Sequence, residues 1–88
     1  MSQRMEYTLK VGETAKIIKT LMRTMALVYA GEVSDRVFSL AAVWTSGYNS
    51  AAQNLYFSKS HKDIEIFGGR LTVLEQTSRH IRFRFDKP

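Results

Sequence analysis

No cysteine occurs anywhere in the chain, which excludes disulfides, thiolate metal sites and cysteine nucleophiles together. Proline is confined to Pro88, so no proline interrupts an element. No uninterrupted apolar stretch reaches the ~18 residues of a membrane span, and none is expected. Met1-Ser2-Gln3-Arg4 is polar and no apolar run with a cleavage site follows it. A secretory signal is therefore not expected, and cytoplasm is the expected location. No Asn-x-Ser/Thr acceptor is present. Carboxylates are in short supply: eight Asp/Glu stand against thirteen Lys/Arg, a net charge of +5. That balance suits nucleic acid, an anionic membrane surface or an acidic protein, and it also serves simply to keep a small protein in solution.

What is present suffices for one folded domain over residues 1–88, with residues 1–4 expected to be disordered. The apolar fraction of 44% is ordinary for a globular chain, so wholesale disorder is not expected. There is no internal repeat, and punctuation falls to Gly12, Gly31, Gly47, Gly68 and Gly69.

Met5, Tyr7, Leu9 and Val11 alternate with Glu6, Thr8 and Lys10, the pattern of a half-buried strand. Over 13–30, Ile17, Ile18, Leu21, Met22, Met25, Val28 and Tyr29 recur at helical spacing. Thr14 fits an N-cap and Gly31 a C′ glycine, so a long amphipathic helix is predicted. A pair of strands competes for the same segment, because Thr14, Thr20, Thr24 and Val28 suit a sheet. Phe38, Leu40, Ala42 and Trp44 then alternate, 45–50 is a turn cluster, and 51–58 returns as a strand. In 63–74 a Gly68-Gly69 turn would pair Ile66 with Leu71 and Ile64 with Val73. A loop at Thr77-Ser78-Arg79 would set Phe83 beside Val73 and Phe85 beside Leu71.

The predicted fold is thus α+β: one N-terminal strand, one long helix, then a four- to five-stranded antiparallel meander packed on the helix. A small all-β barrel is the alternative. The element order resembles the cystatin-like arrangement, in order alone. The Gln-x-Val-x-Gly hairpin motif of that family does not occur at residues 41–50, so no inhibitor function carries over.

Catalytic patterns are lacking. His61 and His80 stand far apart with no metal-ligand spacing around them, and neither a metal nor a cofactor is expected. Ser78 with His80, and Asp63 with Glu65, are pairs that any short sequence offers. Gly68-Gly69 reads as a turn, not a phosphate loop. The chain is accordingly expected not to be an enzyme.

His80, Arg82 and Arg84 share the strand face opposite Ile81, Phe83 and Phe85, spaced about 7 Å apart, which could track a phosphate backbone. Lys59, Lys62 and Arg79 could extend that stripe. An outward strand face must be polar in any case, and Glu65 and Asp63 nearby would mix its charge. Lys16, Lys19 and Arg23 form a second basic set, which reads as a solvated face. Tyr48, beside the middle turn, is a candidate exposed anchor for a partner, whereas Trp44 is expected in the core. Two functions follow as expectations. One is a small regulatory protein that binds nucleic acid through the basic strand face. The other is a protein-interaction module or homodimer, because Val37, Ala41 and Val43 lie opposite the core face and would need covering.

Overall fold

A computed structural model of the chain describes residues 4–47 and 49–87. Its described residues form eight strands and no helix. These are β1 (Arg4–Lys10), β2 (Thr14–Lys19), β3 (Arg23–Glu32), β4 (Val37–Ser46), β5 (Asn49–Ser58), β6 (Asp63–Ile66), β7 (Gly69–Gln76) and β8 (His80–Asp86). They make two four-stranded antiparallel sheets, β1-β8-β7-β6 and β2-β3-β4-β5. Within each sheet, strands consecutive in the chain lie side by side, and β8 closes back onto β1. The molecule is a flattened up-and-down meander, hydrogen-bonded as a ladder except from β1 to β2 and from β5 to β6. Its extents are 38 × 31 × 18 Å.

This overturns the predicted α+β fold and agrees with the all-β alternative. The cystatin-like element order falls with the helix. Residues 13–30 carry two periodicities, and burial selects between them. Ala15 and Ile17 on β2, and Leu27 and Tyr29 on β3, alternate into the core. Two bulges reconcile the remaining apolar positions with a sheet. One, between Lys16 and Ile18, lets the consecutive Ile17 and Ile18 both turn towards the core. The other lies between Tyr29 and Gly31. Gly31 has φ +92°, the left-handed conformation that a bulge and a helix C′ position both ask of glycine, so this residue could not discriminate between the two. A tight turn at Thr20–Arg23 replaces the helix centre: Thr20 N–H donates to the Arg23 carbonyl (2.8 Å) and Arg23 N–H to Thr20 Oγ1 (3.1 Å). Leu21 and Met22, expected on the buried helix face, are instead 99% and 70% exposed at its tip.

The core is the layer between the sheets. Tyr29, Phe38, Leu27 and Leu40 from one sheet meet Phe83, Phe85, Leu71 and Ile81 from the other, all essentially without exposure. Tyr7 stacks on Phe83 at 5.3 Å, and Phe38 packs beside Phe57 at 5.7 Å. Trp44, half-buried, meets Phe67 edge-on at 5.8 Å and ties β4 to the β6–β7 turn.

That turn corrects the expected register. The pairs are Ile64 with Leu71 and Ile66 with Gly69, so the turn residues are Phe67 and Gly68, not Gly68 and Gly69. Both have positive φ, +55° and +76°, as a type I′ hairpin requires. Left-handed backbone is costly for phenylalanine, and the Trp44 contact is what the conformation gains. Gly69 is held inside the strand for a different reason. A Cβ there would lie 2.4 Å from the Asp86 carbonyl oxygen and 2.7 Å from the Phe85 ring. The slip is by two, so the same side chains still face the core. At the next hairpin, Val73 pairs with Phe83 and Leu71 with Phe85 as expected. There the turn closes through Thr77 N–H to the His80 carbonyl (2.8 Å), and a bulge between Val73 and Glu75 restores the register.

Truncation tests this core directly. Phe83→Ala is expected to cost about 3–5 kcal/mol and Gly69→Ala about 1–3 kcal/mol, while Leu21→Ala stays within about 0.5 kcal/mol. Urea unfolding of the three variants measures this, and a Leu21→Ala loss above about 2 kcal/mol would restore the helix.

Candidate binding surfaces

The sandwich presents two outward sheet faces, and they differ in chemistry. On the β1-β8-β7-β6 sheet, β8 turns Arg82 and Arg84 outward, with half-buried His80 at its start, as alternation requires. Cross-strand pairing then decides the potential. Arg84 sits between Glu6 and Thr72, and Arg82 between Thr8 and Glu75. Arg82 Nη1 lies 3.6 Å from Glu6 Oε1, Arg84 Nε 3.9 Å from Asp86 Oδ2, and His80 Nε2 2.5 Å from Glu75 Oε1. The His80 contact, followed by the charge of Arg82, holds the Glu75 carboxyl below its usual range. Asp63, Glu65 and Arg70 continue the mixture on β6 and β7. The stripe is real as a row of side chains, but each of its members has a carboxylate neighbour.

The remaining expected contacts are spread out. Lys59 Nζ pairs with Glu32 Oε2 at 2.6 Å, and that carboxylate also accepts from Gln76. Lys62 belongs to the β5–β6 connection, where its carbonyl accepts from Val73 N–H (2.7 Å). Arg79 occupies the β7–β8 turn, and there His80 does join it: Thr8, Lys10, Arg79 and His80 line a depression of about 390 Å³. Lys10, which the sequence pattern did not single out, faces His80 across the β1–β8 ladder. Tyr48 lies outside the described residues, as do residues 1–3 of the segment expected to be disordered, while β1 begins at Arg4. Among the described residues no group of three or more His, Asp or Glu is placed to hold a metal ion. No helix of theirs is long and apolar enough to cross a membrane.

A polar network closes the same end of the sandwich as the β7–β8 turn. The buried Tyr29 hydroxyl donates to the Thr77 carbonyl, and Gln76 Nε2 donates to Tyr29 Oη (3.0 Å) and to Glu32 Oε2 (2.8 Å). Burial pushes the Tyr29 hydroxyl pKa up, which keeps it a donor. The hydrogen bond from Lys59, then that from Gln76, holds the Glu32 carboxyl below its usual range. These partners come from both sheets and from sequence positions far apart, so only the fold reveals them.

The β2-β3-β4-β5 sheet presents the second face. Val28 lies beside Ala41, Ala26 beside Val43, and Val43 beside Ala52. The outward side chains of β3 and β4 over this area are small and uncharged, and the half-buried Val37, Ala41 and Val43 expected to need covering are among them. At its margin β5 is exposed on both faces over residues 49–54, and Tyr56 is 61% exposed.

Comparison with protein-family models, with curated proteins and with solved structures returns no match. The described residues form a small antiparallel β-sandwich with one charge-mixed outward face, a second outward face with a small apolar patch on β3 and β4, and an uncharged edge strand, β5.

The Glu32 network makes stability depend on pH with a definite sign. A carboxyl whose pKa is lowered by folding stabilises the fold above its unfolded pKa, and that stabilisation is lost as pH falls through the folded value. Glu32→Gln is therefore expected to narrow the stability difference between pH 7 and about pH 3, as read by thermal melts. Equal differences for both proteins would remove Glu32 from the acid response.

Proposed function

We propose that this chain is a non-enzymatic binding protein that works by association with protein, first of all with a second copy of itself, through the β5 edge and the adjoining outward face. One observation carries the reading: β5 is the edge that nothing blunts. Exposed strand edges are normally protected by charge, proline, bulges or shortness. The β1 edge carries Glu6 and Lys10; β2 carries Lys16 and Lys19 and is bulged; β6 has four residues, Asp63 and Glu65 among them. The sequence of β5, Asn-Ser-Ala-Ala-Gln-Asn-Leu-Tyr-Phe-Ser, has no charge and no proline, and it pairs with β4 over ten residues without a shift. A second β5 laid antiparallel across a two-fold axis would satisfy its free backbone groups and extend the sheet. The small apolar patch of Val28, Ala41, Ala26, Val43 and Ala52 adjoins this edge and would be covered with it. The cytoplasmic location expected from the sequence is kept as part of this proposal.

Nucleic-acid binding is the second reading. The depression at Lys10, Arg79 and His80 favours it over the original stripe, because it gathers basic groups from two strands and a turn. Phosphate contacts there would make affinity fall with salt, and Lys10→Ala with Arg79→Ala would lower the log–log slope by about two.

Sedimentation of the whole chain at micromolar concentration tests the first reading. A dimer is expected, converted to monomer by Gln53→Lys together with Asn54→Lys. Both positions are exposed, so the fold is expected to survive the change. A wild type still monomeric at about 100 μM would end this reading. A dimer indifferent to the lysines but broken by Val43→Glu would move the contact from the edge to the sheet face.

A further inference from the structure

The β2–β3 turn carries two side chains for which the fold has no use. Leu21 is 99% exposed and Met22 70% exposed, side by side at the tip. Turn tips favour glycine, asparagine, aspartate and serine, each for a backbone reason. Here the backbone is held by Thr20 and Arg23 through their mutual hydrogen bonds, so neither Leu21 nor Met22 is needed to shape the turn. Single exposed apolar residues are commonplace. This pair differs in what surrounds it.

Between Glu13 and Glu32 the chain holds Lys16, Lys19 and Arg23 and no carboxylate, and between Asp35 and Asp63 there is again no carboxylate. The second stretch supplies the neighbouring β4–β5 turn, whose Gly47 N–H donates to the Met22 carbonyl (3.3 Å). Two hairpin tips thus lie together with no anion on either, the cations all belonging to the β2–β3 hairpin. Lys16, Lys19 and Arg23 are exposed, and none of them makes an ion pair with another described residue. This contrasts with the opposite sheet, where each arginine of β8 has a carboxylate neighbour. The tip also projects: residues 20–23 and 45–47 are exposed almost throughout, past the cover of the other sheet.

We propose that this tip is an anchor for anionic membrane surfaces, with Leu21 and Met22 inserted among the lipid headgroups and Lys19 and Arg23 on lipid phosphates. Exposed apolar side chains ringed by unpaired cations match the order of a bilayer interface, where anionic headgroups overlie acyl chains. A hydrophobic groove on a protein would accept Leu21 and Met22 but would not call for a carboxylate-free rim. Lys16, further back on β2, adds to the positive charge behind the tip without touching the inserted side chains. Two apolar side chains and three cations make the attachment reversible and salt-sensitive. The proposal uses no residue of β5 and stands apart from the self-association reading.

The test is co-sedimentation of the whole chain with vesicles of phosphatidylcholine alone, and with about one-third phosphatidylglycerol added. Binding is expected to the anionic vesicles and to be weak or absent on the neutral ones. Leu21→Ser with Met22→Ser is expected to lower the affinity about tenfold or more without moving Tm. Lys19→Gln with Arg23→Gln is expected to lower it as well. Because the chain has no cysteine, Met22→Cys carries a single environment-sensitive fluorophore, whose emission is expected to shift to the blue on anionic vesicles. Absence of wild-type binding overturns the proposal. So does binding by the double serine variant equal to wild type, or a fluorophore that stays in water, since either leaves only non-inserting charge attraction. Loss of self-association in the serine variant, with no vesicle binding by wild type, overturns it in favour of a protein groove.

Discussion

The two sheets share a single layer of side chains, and the rest of the molecule is arranged around the need to keep that layer dry. Phe38, Leu40, Leu27 and Tyr29 press from one side against Phe83, Phe85, Leu71 and Ile81 on the other. In a chain of 88 residues there is no second core to fall back on. Each end of the layer therefore has its own closure. At one end Trp44 and Phe67 meet edge-on, at the cost of a left-handed phenylalanine. At the other, Tyr29 carries a hydroxyl into the buried layer, where it donates to the Thr77 carbonyl and accepts from Gln76, which also donates to Glu32. An unpartnered hydroxyl in that position would cost far more than the bonds add, so the network belongs to the fold rather than to its decoration.

The sheets are unequal in length, and the surfaces follow from the mismatch. Strands β3, β4 and β5 have ten residues each, whereas those of the other sheet have four to eight. The longer sheet overhangs, which exposes both faces of β5 near its start and carries the β2–β3 tip clear of the core. Charge is divided along the same line. Carboxylates interleave with arginines on the shorter sheet and neutralise its stripe, while the overhanging end holds cations alone. A net charge of +5 thus translates into a local excess on the sheet where the sequence pattern did not place the site.

Much of the strand content was legible in the residues, because period-two alternation is a local property. Residues 5–11, 36–44, 51–58, 63–67, 70–74 and 81–85 correspond to strands near the expected bounds, and Val73 and Leu71 found Phe83 and Phe85 as partners. The segment 13–30 was misread because Ile17, Ile18, Leu21, Met22 and Met25 satisfy a helical stripe on paper. Two bulges absorbed Ile18 and Gly31, and the turn left Leu21 and Met22 outside, none of which local spacing can show. The hairpin at 63–74 slipped by two because the crowding that demands glycine at position 69 comes from Phe85 and Asp86 on the next strand.

The amino-acid sequence alone determined the alternating apolar faces, the lack of cysteine and of familiar metal-ligand spacings, and the excess of basic over acidic groups. These are properties of composition and of neighbours along the chain, and they hold in any fold. Only the tertiary structure decided which apolar residues were core, which cation met which carboxylate, and which strand was left at an edge. Each of those depends on pairs brought together across strands, such as Arg82 with Glu6 or Gln76 with Tyr29. Burial is worth most where two sheets close on one layer, and in choosing that layer the chain gave up its helix and set Leu21 and Met22 in the open.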